Sequence, residues 1–128
     1  MKKLLIVLLG SLAAFSAHAA DARGTVVNQE ITHLARILQS RLPSLSVDGL
    51  LEAERQAHGW VFRLRVKSDA GGADEVQVVV HDTPDGRSEL RVQGVRVDNN
   101  LFTSKRSAND ALTTEWTDRI LKLAEKTD

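Results

Sequence analysis

Four histidines are the side chains of this 128-residue chain best suited to move a proton or hold a metal, and none stands in a pattern that either task requires. A metal-binding pair of histidines needs a fixed short spacing, such as four residues along a helix. His33, His58 and His81 fall instead in three separate segments, and His18 lies in the N-terminal leader. His81 and Asp82 are adjacent, but neighbours on a strand point to opposite faces. The chain has no cysteine, which removes thiol nucleophiles, thiolate metal sites and disulfides. No G-x-S-x-G turn is present to expose a nucleophilic serine. Glu52 and Glu54 share a strand face, whereas paired catalytic carboxylates face each other across a cleft. The two glutamates lie opposite or diagonal to Arg63, which favours ion pairing over the raised pKa that glycoside chemistry demands. Gly71-Gly72 matches no nucleotide fingerprint and reads as a hairpin loop. The residues therefore point away from an enzyme, a cofactor or a metal site.

Two groups of side chains are better suited to recognition. Leu101 and Phe102 sit beside Lys105 and Arg106 in a loop from Asp98 to Arg106. An exposed apolar pair next to cations would anchor a protein partner. The competing reading tucks the pair under the helices, because a chain with three Phe and two Trp rarely leaves them outside. The secondary candidate is Arg63, Arg65 and Arg91, with Lys67, on the solvent face of a sheet. There the competing reading is an ordinary solvated face, with Glu52, Glu75 and Glu89 as ion-pair partners. Nucleic acid is excluded as a partner: 17 basic residues balance 17 acidic ones, and the outer face lacks stacking aromatics.

The elements that must position these groups follow from periodicity. Val27, Ile31, Leu34, Leu38 and Leu42 form one apolar stripe, which predicts a helix over 26–41, capped by Thr25 or Asn28 and ended by Pro43. Trp60, Phe62, Leu64 and Val66 alternate with polar residues, as do Val76, Val78 and Val80, and Leu90 and Val92; these predict half-buried strands. At Gly94 the parity shifts to Val95 and Val97, which predicts a bulge. Leu51 and Ala53 predict a weaker first strand, in competition with a short helix over 48–56. Leu112, Trp116, Ile120 and Leu123 predict a C-terminal helix, with Ser107 as its N-cap.

Parity then tests the hairpins. Opposing Phe62 with Ala53 sets Arg63 against Glu52. Opposing Leu64 with Val78 sets Lys67 against Glu75. Opposing Val80 with Leu90 sets His81 against Glu89. Each choice keeps apolar residues on one face and complementary polar pairs on the other. The expected fold is α+β: a two-layer sandwich of a four-stranded antiparallel meander, with an N-terminal and a C-terminal helix packed on one face.

Residues 1–19 read as an export signal. Lys2 and Lys3 precede an apolar run from Leu4 to Phe15, and Ala17-His18-Ala19 offers small residues for cleavage after Ala19. The run is too short, and too interrupted by Gly10 and Ser11, for a membrane span. The expected product is one domain of residues 20–128 in the periplasm of a bacterial cell, or secreted, with no membrane span. Its expected role is non-enzymatic binding of another envelope or secreted protein, as an inhibitor, immunity or accessory protein. The alternative is a small-molecule or lipid carrier, with a cleft between helices and sheet lined by Trp60, Phe62 and Trp116; a small hydrolase would need a polar cleft holding a His with an acid partner.

Overall fold

A period of two in apolar side chains makes a strand, because successive residues point to opposite faces. That pattern produces β3 (Gly59–Lys67), β4 (Ala73–Asp82) and β5 (Ser88–Asn99), with the shorter β2 (Glu52–Gln56) ahead of them. The computed structural model describes residues 24–68, 71–99 and 104–125. It adds β1 (Thr25–Val27) and β6 (Ser104–Ala108). All pairings are antiparallel, in the order β1-β5-β4-β3-β2, with β6 also paired to β5. The sheet is therefore six-stranded and not a simple four-stranded meander. β1 and β6 divide one edge of β5 between them, β1 against Ser88–Leu90 and β6 against Val95–Asn99. Two helices complete the α+β fold: α1 (Ile31–Arg41), continued by a 3-10 turn (Leu42–Leu45), and α2 (Asp110–Glu125). Among the described residues no helix is long and apolar enough to cross a membrane.

The hairpin registers follow the apolar parity. Ala53 faces Phe62, Glu52 faces Arg63, Val80 faces Leu90 and His81 faces Glu89. The β3–β4 register differs from expectation by one pleat: Phe62, not Leu64, faces Val78, and Leu64 faces Val76. A two-residue slip keeps every side chain on its face, so parity cannot detect it. It sets Arg65 rather than Lys67 opposite Glu75. Phe62, Leu64, Val76, Val78, Leu90 and Val92 then join Leu34, Leu38, Leu112, Trp116 and Ile120 in one buried cluster. On the opposite face Val61 and Val79 are paired and also buried. The next residue across is Arg91, itself largely covered; the stem of such a side chain shields apolar neighbours while its head stays wet.

The expected bulge at Gly94 is absent. The ladder runs unbroken through Val76↔Gly94 and Glu75↔Val95, so Gly94 keeps its place on the core face. A Cβ there would lie 2.7 Å from Leu112 Cγ and 2.8 Å from the Thr113 nitrogen. The glycine marks the close approach of α2, and its N–H donates to Thr113 Oγ1 at 2.8 Å. Val95 and Val97 simply occupy the other face, opposite Ala108 and Arg106 of β6.

Helix boundaries differ for a related reason. Val27 is buried, as the stripe required, but from a strand: Thr25-Val26-Val27 is β-branched throughout and pairs with β5. The helix starts later, capped by Glu30, whose carboxylate accepts from Thr32 N at 2.9 Å and His33 N at 3.3 Å. These bonds, the one from Thr32 foremost, hold the Glu30 carboxyl below its usual pKa. At its other end the α-helix stops at Arg41, where Pro43 placed its end, and the proline fits the first turn of the following 3-10 helix. At α2 the cap is Asn109, which accepts from Leu112 N at 2.9 Å; Ser107 belongs to β6, opposite Arg96. The last carbonyls of α2 have no partner within the helix. Gln29 Nε2 donates to Ala124 O at 2.8 Å and Arg41 Nη1 to Leu123 O at 2.9 Å, tying both ends of α1 to the end of α2.

The β4–β5 turn carries a testable ionisation. Thr83 Oγ1 donates to Asp85 Oδ1, and Arg87 Nε donates to Asp85 Oδ2 at 2.8 Å. The Arg87 hydrogen bond first, then that of Thr83, lowers the Asp85 carboxyl from 3.8 to about 2. A lowered carboxyl stabilises the turn above its ordinary value, and the contribution is lost as pH falls through the lowered one. NMR titration of Asp85 should therefore give a midpoint of about 2, moving up towards 3.8 in Arg87→Ala. A midpoint already near 3.8 in the unaltered chain would contradict the pairing.

Candidate functional site

One wall of the candidate site is a face of α1. Ile31 and Ala35 lie one helical turn apart and supply an apolar floor, while Thr32, Arg36 and Gln39 rise at its rim. The helix is held in place by its buried Leu34 and Leu38 and by the Gln29 and Arg41 bonds to the end of α2.

The opposite wall is the β2–β3 hairpin. Arg55 faces Trp60 across the strands, so the two side chains stand side by side on one face. Trp60 is in turn stacked on Phe62, with centroids 5.8 Å apart and planes 2° from parallel. Phe62 is fully buried, so the half-buried indole is fixed from below. The turn residues Gln56, Ala57 and His58 close this end, and Asp82 at the end of β4 supports it: its N–H donates to the His58 carbonyl at 2.9 Å. Gly59 lies against the same strand, and a Cβ there would come within 1.8 Å of Val80 O.

Between the walls is a cleft of about 400 Å³. Asp82 is its sole acidic lining residue among those described, with His58 Nδ1 3.8 Å from Asp82 Oδ1. That distance suits an ion pair and is too long for the hydrogen bond by which an acid orients a catalytic imidazole. Arg36 and Arg55 have no partner among the described residues. Every other described arginine has one: Arg41 on Leu123 O, Arg63 with Glu52, Arg65 with Asp48, Arg87 with Asp85, Arg91 with Glu89, Arg96 with Asp74, Arg106 with Glu75 and Arg119 with Glu115. The cleft thus presents two guanidinium groups, the Trp60 indole and the polar side chains of Thr32 and Gln39. Chemically this is equipment for holding an anionic, partly apolar group.

The side chains singled out from the sequence are distributed differently. Leu101 and Phe102 lie outside the described residues. Lys105 and Arg106 are exposed on β6, where Arg106 pairs with Glu75 and Lys105 faces Asp98. Arg63 reaches Glu52 at 3.4 Å and Glu54 at 3.5 Å. Arg65 is 4.0 Å from Asp48, and Arg91 3.8 Å from Glu89, which also binds His81 at 2.7 Å. The structure brings Arg63, Arg65 and Arg91 onto one sheet face and matches each with a carboxylate. His33 is exposed on α1. Among the described residues no three acidic, histidine or cysteine side chains converge to hold a metal ion.

Arg36 and Arg55 were not marked by any local pattern. Arg36 is one polar residue on the wet flank of a helix. Arg55 becomes visible only through the register, since Ala53↔Phe62 implies Arg55↔Trp60. Compared with known proteins, the chain matches no family model, no curated protein and no solved structure.

Proposed function

We propose that this is a small exported protein of the bacterial envelope that acts without catalysis, by binding another protein through the cleft between α1 and the β2–β3 hairpin. Residues 1–19 act as the export signal in this reading, and residues 20–128 form the mature domain. The architecture is read as a two-layer sandwich, both helices covering the face that carries Phe62, Val78 and Leu90; the core cluster they share supports this. The observation that carries the functional reading is the cleft: about 400 Å³, lined by polar groups from two separate elements. A carrier for lipids or small apolar molecules would surround most of its ligand with apolar side chains. Phe62 and Trp116, which would line such a chamber, are instead part of the buried core, and Trp60 alone of the three lines the cleft.

A photo-crosslinking residue tests the proposal. Placed at Gln39 on the cleft wall, it should give one protein adduct of defined mass in cells exporting the chain. Placed at Thr114, exposed on α2, it should give none. Adducts from both positions, or from neither, overturn the reading. A small-molecule mass retained by the purified mature chain in native mass spectrometry would favour the carrier instead.

A further inference from the structure

We infer that the cleft recognises an acidic segment of its partner, an extended stretch bearing glutamate or aspartate side chains, held by Arg36 and Arg55. The inference rests on the reading of the cleft as a protein-binding site and names what that site accepts. Charge carries it. The chain as a whole is balanced, with 17 basic and 17 acidic residues, and its described arginines are satisfied within the fold with two exceptions. Both exceptions line the same cleft, one from α1 and one from β2. Two guanidinium forks on facing walls are suited to carboxylates, which they can grip through paired N–H donors. Asp82, the one carboxylate among the lining residues, has His58 beside it.

The shape favours a segment of chain over a free ion. An isolated anion is held by donors converging on one point, whereas here the two cations come from two different elements, α1 and β2. Trp60 adds an apolar surface for the stems of bound side chains. β2 is the terminal strand of the sheet order, so among the described residues its outer edge, beside Arg55, has no strand partner. An extended segment can use such an edge as a further strand does.

The test uses the mature chain and a hexaglutamate peptide, with hexalysine and inorganic phosphate as comparison ligands. Trp60 is the reporter, since it lies in the cleft while Trp116 is buried; a Trp60→Phe variant identifies its signal. Hexaglutamate should bind, more weakly as salt rises, and hexalysine should not. Arg36→Glu and Arg55→Glu should each weaken hexaglutamate binding about ten-fold or more, as loss of a central charged contact does. Arg119→Glu, exposed on α2, should leave it unchanged. Arg36→Lys should retain part of the affinity, because charge survives while the fork is lost. Equal losses from Arg119→Glu, no loss from the cleft variants, or phosphate binding as tightly as the peptide would each overturn the assignment. The Gln39 crosslink separates the two proposals. If it captures a partner whose yield is unaffected by Arg36→Glu and Arg55→Glu, the acidic specificity fails while the protein-binding reading stands.

Discussion

Phe62→Ala is expected to destabilise the domain by about 3–5 kcal/mol, the range for removing a buried aromatic side chain. Phe62 is fully buried and lies between Ala53 of β2 and Val78 of β4. It is also the surface on which Trp60 stacks, so its loss leaves a cavity in the core and frees a wall of the cleft. Two effects should therefore appear together in urea titrations: a large fall in midpoint, and a red-shifted, more mobile Trp60 emission in the folded baseline. Arg65→Ala is the matched comparison from the same strand, one face over. Its side chain is 66% exposed and its guanidinium 4.0 Å from Asp48, and a pair of that kind contributes within about 1 kcal/mol. Similar losses from the two variants would mean that the two faces of β3 are assigned the wrong way round.

The parts of this fold that could be read from the residues are those where one pattern has one structural solution. Alternation over Trp60–Val66 admits only a half-buried strand, and the complementary pairs Glu52–Arg63 and His81–Glu89 selected registers that the structure contains. Where two solutions share a pattern, the reading diverged. Val27 fits a helical stripe and a buried strand position equally well, and the strand prevailed because β5 offered it a partner. Gly94 fits a bulge and a helix contact equally well, and only the position of Leu112 decides between them. β6 has no apolar alternation at all: Ser104-Lys105-Arg106-Ser107-Ala108 is a strand because the open edge of β5 accepts it. The site was harder still. Its signal is that Arg36 and Arg55 have no partner among the described residues, which can be read only once the other described arginines have been placed. His58 illustrates the same limit, since a turn histidine acquires meaning when the end of β4 delivers Asp82 to it.

Gly59→Ala is expected to cost about 3 kcal/mol or slightly more, at the upper end of what an added methyl costs in a packed site. The reason is where the methyl would go. At Gly94 the overlap is milder, with Leu112 Cγ at 2.7 Å and Leu112 Cβ and the Thr113 nitrogen at 2.8 Å, and a small shift of α2 away from the sheet relieves all three. At Gly59 the nearest atoms are Val80 O at 1.8 Å and His81 Cα at 2.7 Å, and backbone cannot turn aside without parting β3 from β4. The pairing at stake is Gly59↔His81, next to the bond from Asp82 N to His58 O. Relief of the clash must therefore displace the turn that carries His58 and, through β2, Arg55. Gly59→Ala should both lower the urea midpoint and weaken hexaglutamate binding in the fraction that remains folded, whereas Gly94→Ala should lower the midpoint by less and leave binding intact. If Gly59→Ala proves as stable as the unaltered chain, the close approach of β3 to β4 at Val80 is wrong. If it is destabilised while its folded fraction binds hexaglutamate normally, the hairpin does not set the geometry of the cleft, and Arg55 is not part of the recognition surface.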